Sequence, residues 1–594
     1  MLLKKVVAIY TLRGENRFRI IAYERTIESL EKSPFEAKDL WKEGRLMEIN
    51  GIGQTISAHL DELFRIGKVE YFEELFSHYP DSMFPLLEVA GLGPKKAYYL
   101  ADKLRLKDPT TAIEDLLKAA YADKIAKLEG FGSKSQSDII DALERFREGQ
   151  KKEVRISLPL AEGLAQKIID YLNECSACSE IFPLGSLRRQ LSTIGDIDLA
   201  VATNKPQTVL DWFTAYPHKS KVIESGPAGA TIILSGGQHV DLRVQDPTSF
   251  GSMLQYFTGS KHHNIHLREI AIKQGLSLSE YGIKPINKIR NSKSEIRNYN
   301  DKKNLYEFAK EKDYYRFLGL EWIPPELRED NGEIEAAKNH NLPLLIEKKD
   351  IKGEFHIHTS YNLEPSHDLG LSDLKTILLK ADSLGYEYIG ISDHNPSKTH
   401  HTESEIISIM KARKYYYEQI KASNKNTRVN LFIMLETDIL TNGELALPND
   451  AFEYIDASIV SIHSNFNMNK VEMTDRILKG LSHPKAKMLA HPTGRLINKR
   501  AGYDLDWQKI FSFCRINDKA LEINSFPDRL DLSDMMVREA IKNQVKLVIN
   551  TDSHEVSQMD LIKYGISVAR RGWSTKADIL NCMPYNKVKE WLKI

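Results

Sequence analysis

From about residue 353 onward, short apolar runs alternate with helical stretches. Nearly every run ends in His, Asp or Glu: "YEYIGISDH", "NLFIMLETD", "ASIVSIHS", "KMLAHPTG", "KALEINS", "KLVINTDSH". Strand alternating with helix predicts an α/β fold and a parallel barrel. In such barrels the chemistry sits at the mouth where the strands end. A histidine at one strand end is ordinarily structural. Its recurrence through His356, His358, His394, Glu436, His463, His491, Asp552 and His554 points to bound metal. Imidazoles mixed with carboxylates suit Mn2+, Zn2+ or Fe2+. Clustered divalent ions would activate water for phosphoester hydrolysis.

At 594 residues the chain is too long for one core, so several domains are expected. A hydrophobic content of 42% and a charged content of 28% describe an ordinary globular protein. No apolar run approaches the roughly 20 residues of a membrane helix. The opening "MLLKKVVAIYTLRGENRFRI" lacks a signal-peptide cleavage pattern. Four cysteines do not make a disulfide framework, and the Cys175-x-x-Cys178 pair lacks the second pair of a zinc ribbon. The expectation is a cytoplasmic, nucleoid-associated monomer without a membrane partner. A net charge of zero counts against a broad basic coat for nucleic acid, but not against phosphate binding by backbone amides.

Residues 1 to about 150 read as helices and carry a weak repeat: "LMEINGIGQTISAHL", "LLEVAGLGPKKAYYL", "KLEGFGSKSQSDII". One Gly-x-Gly is as readily a helix C-cap as a site. Three between helices suggest backbone N–H groups brought close to an anion. Gly51 and Gly53, Gly91 and Gly93, Gly130 and Gly132 therefore resemble helix–hairpin–helix motifs, which hold DNA phosphates without reading sequence. Lys95 and Lys134 follow two of the turns.

From about 153 the texture becomes mixed strand and helix. In "GSLRRQLSTIGDIDLA", Asp196 and Asp198 lie two apart on an expected strand and share a face, and Asp241 in "HVDLRV" stands on another. Three such carboxylates can grip two hard divalent cations for nucleotidyl transfer. Gly185 and Ser186 allow close approach to phosphates, and Arg189 offers them a guanidinium fork. A lone Asp-x-Asp would more often be a solvated edge strand. The stretch 321–352, with Pro-Pro and no clear period, reads as a linker.

These residues resemble the family X DNA polymerases of the nucleotidyltransferase superfamily, and "YFTGSKHHN" strengthens the match. The resemblance implies Mg2+ at Asp196, Asp198 and Asp241, with Asp241 accepting the 3′-hydroxyl proton. Gly185, Ser186, Arg189 and Gly195 would serve the nucleotide. Tyr256, Phe257 and Gly259 would line its sugar and disfavour a 2′-hydroxyl, Asn264 would meet the base, and Arg268 would face the template strand. In relatives with lyase activity a lysine follows the first Gly-x-Gly and forms a Schiff base. His59 stands there, and imidazole cannot form that imine.

The histidine series resembles the PHP (polymerase and histidinol phosphatase) domain, a distorted β/α barrel with up to three metals. "FHIHT", "ISDHN", "LET", "SIHS", "LAHPTGR" and "NTDSHE" match its motifs in order, and "YGISVARRGW" matches the form fused to bacterial family X polymerases. By that resemblance His356, His358, Glu436 and Asp552 hold one metal. Glu436 bridges to a second held by His463 and His491. His394 and His554 hold a third with one more residue of the first motif. There the chain reads "NLEPSHDLG", in which Glu364, His367 and Asp368 can all ligate. His367 is favoured, with Asp368 second.

The expected architecture is multidomain α+β and α/β. It comprises helical DNA-binding regions 1–75 and 76–150, a nucleotidyltransferase palm with mixed sheet at 151–245, a nucleotide- and template-contacting part at 246–320, the linker 321–352 and the barrel 353–594. The expected function is a DNA-directed DNA polymerase that uses deoxynucleoside triphosphates to fill gapped or primed DNA in base excision repair. The barrel would act as a 3′–5′ exonuclease, with abasic endonuclease or 3′-phosphatase activity as extensions. Two alternatives are a phosphoesterase whose front half only binds DNA, and an RNA or small-molecule nucleotidyltransferase. The intact aspartates and "YFTGS" disfavour the first. The glycine turns and the Tyr256–Phe257 pair disfavour the second.

Overall fold

The computed structural model describes residues 2–32, 37–42, 44–49, 51–89, 91–147, 155–286, 305–423 and 427–594. Contacts divide the chain into two units, Met1–Arg155 and Ile156–Ile594. The expected boundary at residue 150 lies outside the described residues.

The described part of the first unit is helical. Gly51, Gly91 and Gly130 take φ of +88°, +78° and +81°, and the helices Gln54–Ile66, Pro94–Lys103 and Ser133–Arg147 follow them. Helical spacing buries one face of each: Ile56 and Leu60, then Ala97 and Leu100, then Ile139 and Leu143. At Gly51 a Cβ would stand 2.9 Å from the Arg25 Cβ, so both the backbone conformation and the space demand glycine.

The second unit opens with a five-stranded mixed sheet in the order Glu180–Pro183, Ile197–Ala202, His239–Gln245, Gly229–Leu234, Lys219–Gly226. Ile197–Ala202 runs antiparallel to the first of these and parallel to His239–Gln245. The helices Phe250–Thr258 and Lys261–Lys273 and a short hairpin, Leu276–Ser279 with Gly282–Pro285, come next.

Residues 321–352 are not the loose linker expected. They form short helical turns at Pro325–Leu327, Glu333–Lys338 and Lys348–Asp350, and bury Ile323, Leu327, Ile334 and Ala337 against Leu267, Tyr314 and Tyr315. The segment turns repeatedly and buries its apolar residues one at a time, so no period appears in its sequence. Buried ion pairs fix its entry. Glu311 accepts from Arg188 Nη1 and Nη2 at 3.0 and 2.9 Å, from Arg328 Nη1 at 2.6 Å and from Trp322 Nε1 at 2.9 Å. Burial works to raise the Glu311 carboxyl, yet Arg328 and Arg188 hold it down to about 2.

The barrel has seven parallel strands in sequence order: Gly353–Ile357, Tyr388–Ile391, Asn430–Asp438, Ala457–Ser461, Ala486–Leu489, Ala520–Asn524 and Lys546–Asn550. Last meets first through the parallel bridge Ile357–Ser553 and the Phe355 N–H donated to Asn550 Oδ1 at 2.8 Å. Phe355, Tyr388, Phe432, Met434, Ile459, Met488 and Val548 fill its core, and the helix Tyr585–Leu592 packs Val588, Trp591 and Leu592 into it.

Glu311→Ala would leave two buried guanidinia without their carboxylate. We expect it to lower the stability of this unit by about 3–5 kcal/mol in chemical denaturation, and a neutral result would refute the role given to the pair. The folded carboxyl titrates near 2 and the free one near 4.5. The contribution is therefore full above the free value and fades as pH falls toward the folded one.

Two candidate metal centres

In the palm, Asp198 and Asp241 stand opposite each other across the parallel ladder. Asp196 lies with Gly195 in the bend just before the strand, not on the strand itself. Gly185, at φ +54°, presses on Asp198: a Cβ there would meet Oδ2 at 2.2 Å. Thr231 Oγ1 donates to Asp241 Oδ1. Burial, then Asp241 and Asp196, push the Asp198 carboxyl up to about 7, with Arg243 and Arg189 only partly offsetting them. A cation between these carboxylates removes their mutual repulsion, and the oxygen-only donor set suits a hard one such as Mg2+.

Arg189 does not offer an open fork. Its Nε donates to Glu329 Oε1 at 3.0 Å and its Nη1 to the Thr258 carbonyl at 2.6 Å, and it is 11% exposed. Glu329 lies 140 residues downstream, so nothing local in the sequence marks this pair. Gly259 lies against the same guanidinium. Ser186 follows Gly185 in the turn Gly185–Arg188. Tyr256 and Phe257 meet edge to face at 5.1 Å, with Arg268 over Tyr256 and Arg243 over Phe257, both at 5.3 Å. Asn264 is held in place: its Nδ2 donates to the Tyr256 carbonyl at 2.6 Å and its Oδ1 accepts from Gln255 Nε2 at 2.9 Å. A cleft of about 410 Å³ opens beside Tyr256 and Arg268.

In the helical unit Lys95 and Lys134 are exposed, just past Gly93 and Gly132. His59 shares a 2.8 Å hydrogen bond between its Nδ1 and the Tyr23 hydroxyl, and stacks on Tyr71 at 5.5 Å. Burial lowers its pKa. This is a packed, neutral imidazole with no imine chemistry.

Every expected barrel ligand reaches the mouth. His356 is on the first strand and Glu436 near the end of the third. His358, His394, His463, His491, Asp552 and His554 stand within a few residues past strand ends. His491 and Asp552 take left-handed backbone, with φ of +28° and +54°. His356, His358, Glu436 and Asp552 bring ligand atoms within 4.8 Å of one another, as do Glu436, His463 and His491. Glu436 belongs to both sets. His356 Nε2 and His394 Nδ1 each lie 3.1 Å from Glu436 Oε2, but these buried atoms have no hydrogen-bond geometry to any described residue. Lone pairs facing each other at this spacing fit an ion holding its ligands at about 2.1 Å. Burial favours a neutral Glu436, but His356, His394 and His463 hold its carboxyl well below the usual range. Burial takes His394 down to about 2, leaving it neutral, as a ligand must be.

Residues not singled out as site residues orient these ligands. Glu522 accepts from His356 Nδ1 at 2.8 Å and from the His491 N–H at 2.7 Å. Asp438 takes His463 Nδ1 at 2.7 Å. Such partners fix the ring and its tautomer. Asp393 accepts from the Thr359 N–H and Oγ1, from Arg413 and from Tyr417, tying the loop after His358 to the loop before His394. Glu522 and Asp438 follow the same strand-end pattern as the ligands, in "LEIN" and "LETD", and that was the available signal.

The first motif brings His367 within 4.8 Å ligand-atom spacing of His394 and His463, a group that could hold an ion. His367, the favoured third-metal ligand, gives its Nε2 to Asp438 Oδ2 at 2.8 Å and stands beside His394 and His463. Glu364 turns to His401 at 3.3 Å. Asp368 spans the intended pair, 3.9 Å from His394 Nε2 and 3.4 Å from His554 Nε2. The Asp438 carboxylate orients the His367 imidazole, while Asp368, its side chain largely exposed, lies on the other side of His394. His358, His394 and His554 form a further group.

A parallel barrel with a histidine-lined mouth, joined to a palm bearing three carboxylates, defines a two-centred phosphoryl-transfer enzyme. A family model described as "DNA polymerase beta thumb" matches residues 253–329, and one described as "Helix-hairpin-helix domain" matches residues 1–69. The chain is 32% identical over 594 residues to "DNA polymerase/3'-5' exonuclease PolX" of Bacillus subtilis (strain 168), covering 100% of this chain and 98% of that protein. It is 24% identical over 354 residues to "DNA polymerase lambda" of Rattus norvegicus, covering 55% of each. The chain belongs to the bacterial PolX family of family X DNA polymerases.

Two outcomes follow from the geometry. Mg2+ binding to the palm should release a proton near pH 6.5 and none near pH 8.5, because the metal-free Asp198 carboxyl holds its proton up to about 7. Calorimetry in two buffers, comparing wild type with Asp198→Ala, measures it, and pH-independent binding would contradict it. In the barrel, His367→Ala should cost about one equivalent of metal by elemental analysis while Asp368→Ala retains it, and the reverse would make Asp368 the ligand.

Proposed function

We propose that this chain fills short gaps in DNA during repair, base excision repair above all, and that its barrel trims 3′ ends as a 3′–5′ exonuclease. The observation that carries the reading is Asp198 set opposite Asp241 with Gly185 against it, in one unit with the Glu436-centred cluster. Divalent cations, when bound, would polarise the attacking hydroxyl or water and balance phosphate charge at both centres. In the palm, Asp241 takes the proton of the 3′-hydroxyl, steadied by Thr231 Oγ1. Tyr256, Phe257 and Gly259 line the sugar, Asn264 and Arg268 meet base and template, and Arg189 exchanges its present partners for the triphosphate. The glycine turns with Lys95 and Lys134 hold the DNA backbone. In the barrel, Glu522 and Asp438 keep His356 and His463 oriented toward the cations they would hold. Mg2+ at the palm and Mn2+, Zn2+ or Fe2+ at the barrel fit the donor types. Abasic-site cleavage and 3′-phosphate removal would use the same barrel chemistry. We place this work in the cytoplasm, on the nucleoid.

Extension of a one-nucleotide gap tests the reading. Asp196→Ala/Asp198→Ala should lose extension by at least about a thousandfold and keep exonuclease activity, and His356→Ala/His358→Ala should do the opposite. No extension by the wild type would end the polymerase reading. Exonuclease activity surviving the histidine changes would end the barrel reading.

A further inference from the structure

The helix Ile562–Arg571, from the "YGISVARRGW" stretch, is the barrel's seam with the polymerase half of the second unit. Lys563 and Tyr564 both reach Glu162 Oε2, and Ser567 donates to Gln190 Oε1 at 3.1 Å. Arg570 pairs with Glu326 at 2.8 Å. Arg571 is the most committed of these residues. Its Nε and Nη2 hold Asp534 on the barrel, at 2.8 and 2.6 Å. Its Nη1 donates to the Arg189 carbonyl at 2.8 Å and to Glu329 Oε1 at 3.1 Å. The same Oε1 accepts from Arg189 Nε. One buried carboxylate oxygen is thus shared by two guanidinia, one from each catalytic half.

Sharing has a direct electrostatic consequence. Each guanidinium weakens the other's hold on Glu329. Taking one partner from a buried ion pair is costly because it strands a charge, and a second guanidinium already in place lowers that cost. Arg189 sits four residues after Gly185, which touches Asp198, so a triphosphate at the palm would compete with Glu329 for its guanidinium. We propose that Arg571, a residue of the phosphoesterase barrel, is a positioning residue for the polymerase: by holding Glu329 it makes Arg189 exchangeable, and so sets nucleotide affinity from the far side of the seam. This rests on the reading that Arg189 meets the triphosphate.

Single-nucleotide gap filling by the full chain, with kcat and KM for the nucleotide measured separately, tests it. Arg571→Ala should raise KM about tenfold, with kcat within about twofold and exonuclease activity unchanged. Glu329→Gln releases Arg189 and should lower KM by about threefold, and Arg571→Ala/Glu329→Gln should match Glu329→Gln, because Arg571 acts through that carboxylate. Lys563→Ala, which breaks another seam pair, should leave KM unchanged. If Arg189→Ala leaves KM unchanged, the triphosphate reading of Arg189 fails. If Arg189→Ala raises KM but Arg571→Ala does not, the proposal fails alone. If Arg571→Ala raises KM and Glu329→Gln does not rescue it, Arg571 is merely structural and the proposal is overturned. Should Arg571→Ala not fold, the fall in KM for Glu329→Gln still decides it.

Discussion

Glu436 is a fully buried carboxylate kept ionised by the imidazoles around it, and the barrel mouth is organised about that fact. An isolated charge in so dry a place would cost more than a fold can absorb. Its neighbours must therefore converge on it, and they come from separate strand ends along the barrel. Glu522, Asp438 and Asp393 then hold the neighbours. The loops at the mouth are held at their bases by these contacts.

The palm meets the opposite problem. Its charges share one sign, and the Asp198 carboxyl holds its proton nearly to neutrality until a cation arrives. The barrel surrounds its carboxylates with imidazole ligands, whereas the palm offers oxygen donors alone. The donor types differ accordingly: mixed imidazole and carboxylate in the barrel, carboxylates partly offset by Arg243 and Arg189 in the palm.

Much of this was legible in the sequence. Strand ends rich in His, Asp and Glu located the barrel ligands because the mouth is where parallel strands finish. Asp198 and the later strand Asp241 located the palm because strand pairing brings them level, with Asp196 in the bend just before. What escaped was interaction at long separation. The Arg189 pair with Glu329 and the burial of 321–352 arise from partners far off in the chain, and neither leaves a local period. His367 and Asp368 are adjacent and both able to ligate, and only the fold shows that His367 joins His394 and His463 while Asp368 stays largely exposed beside His554.

The last strand and the helix Tyr585–Leu592 complete the barrel, and Asp552 lies between them. Synthesis runs from the N-terminus, and domains fold as they emerge. A nascent chain therefore presents its palm and thumb well before its hydrolytic centre can close. That centre waits on Asp552 and His554, the last of its candidate ligands to be made.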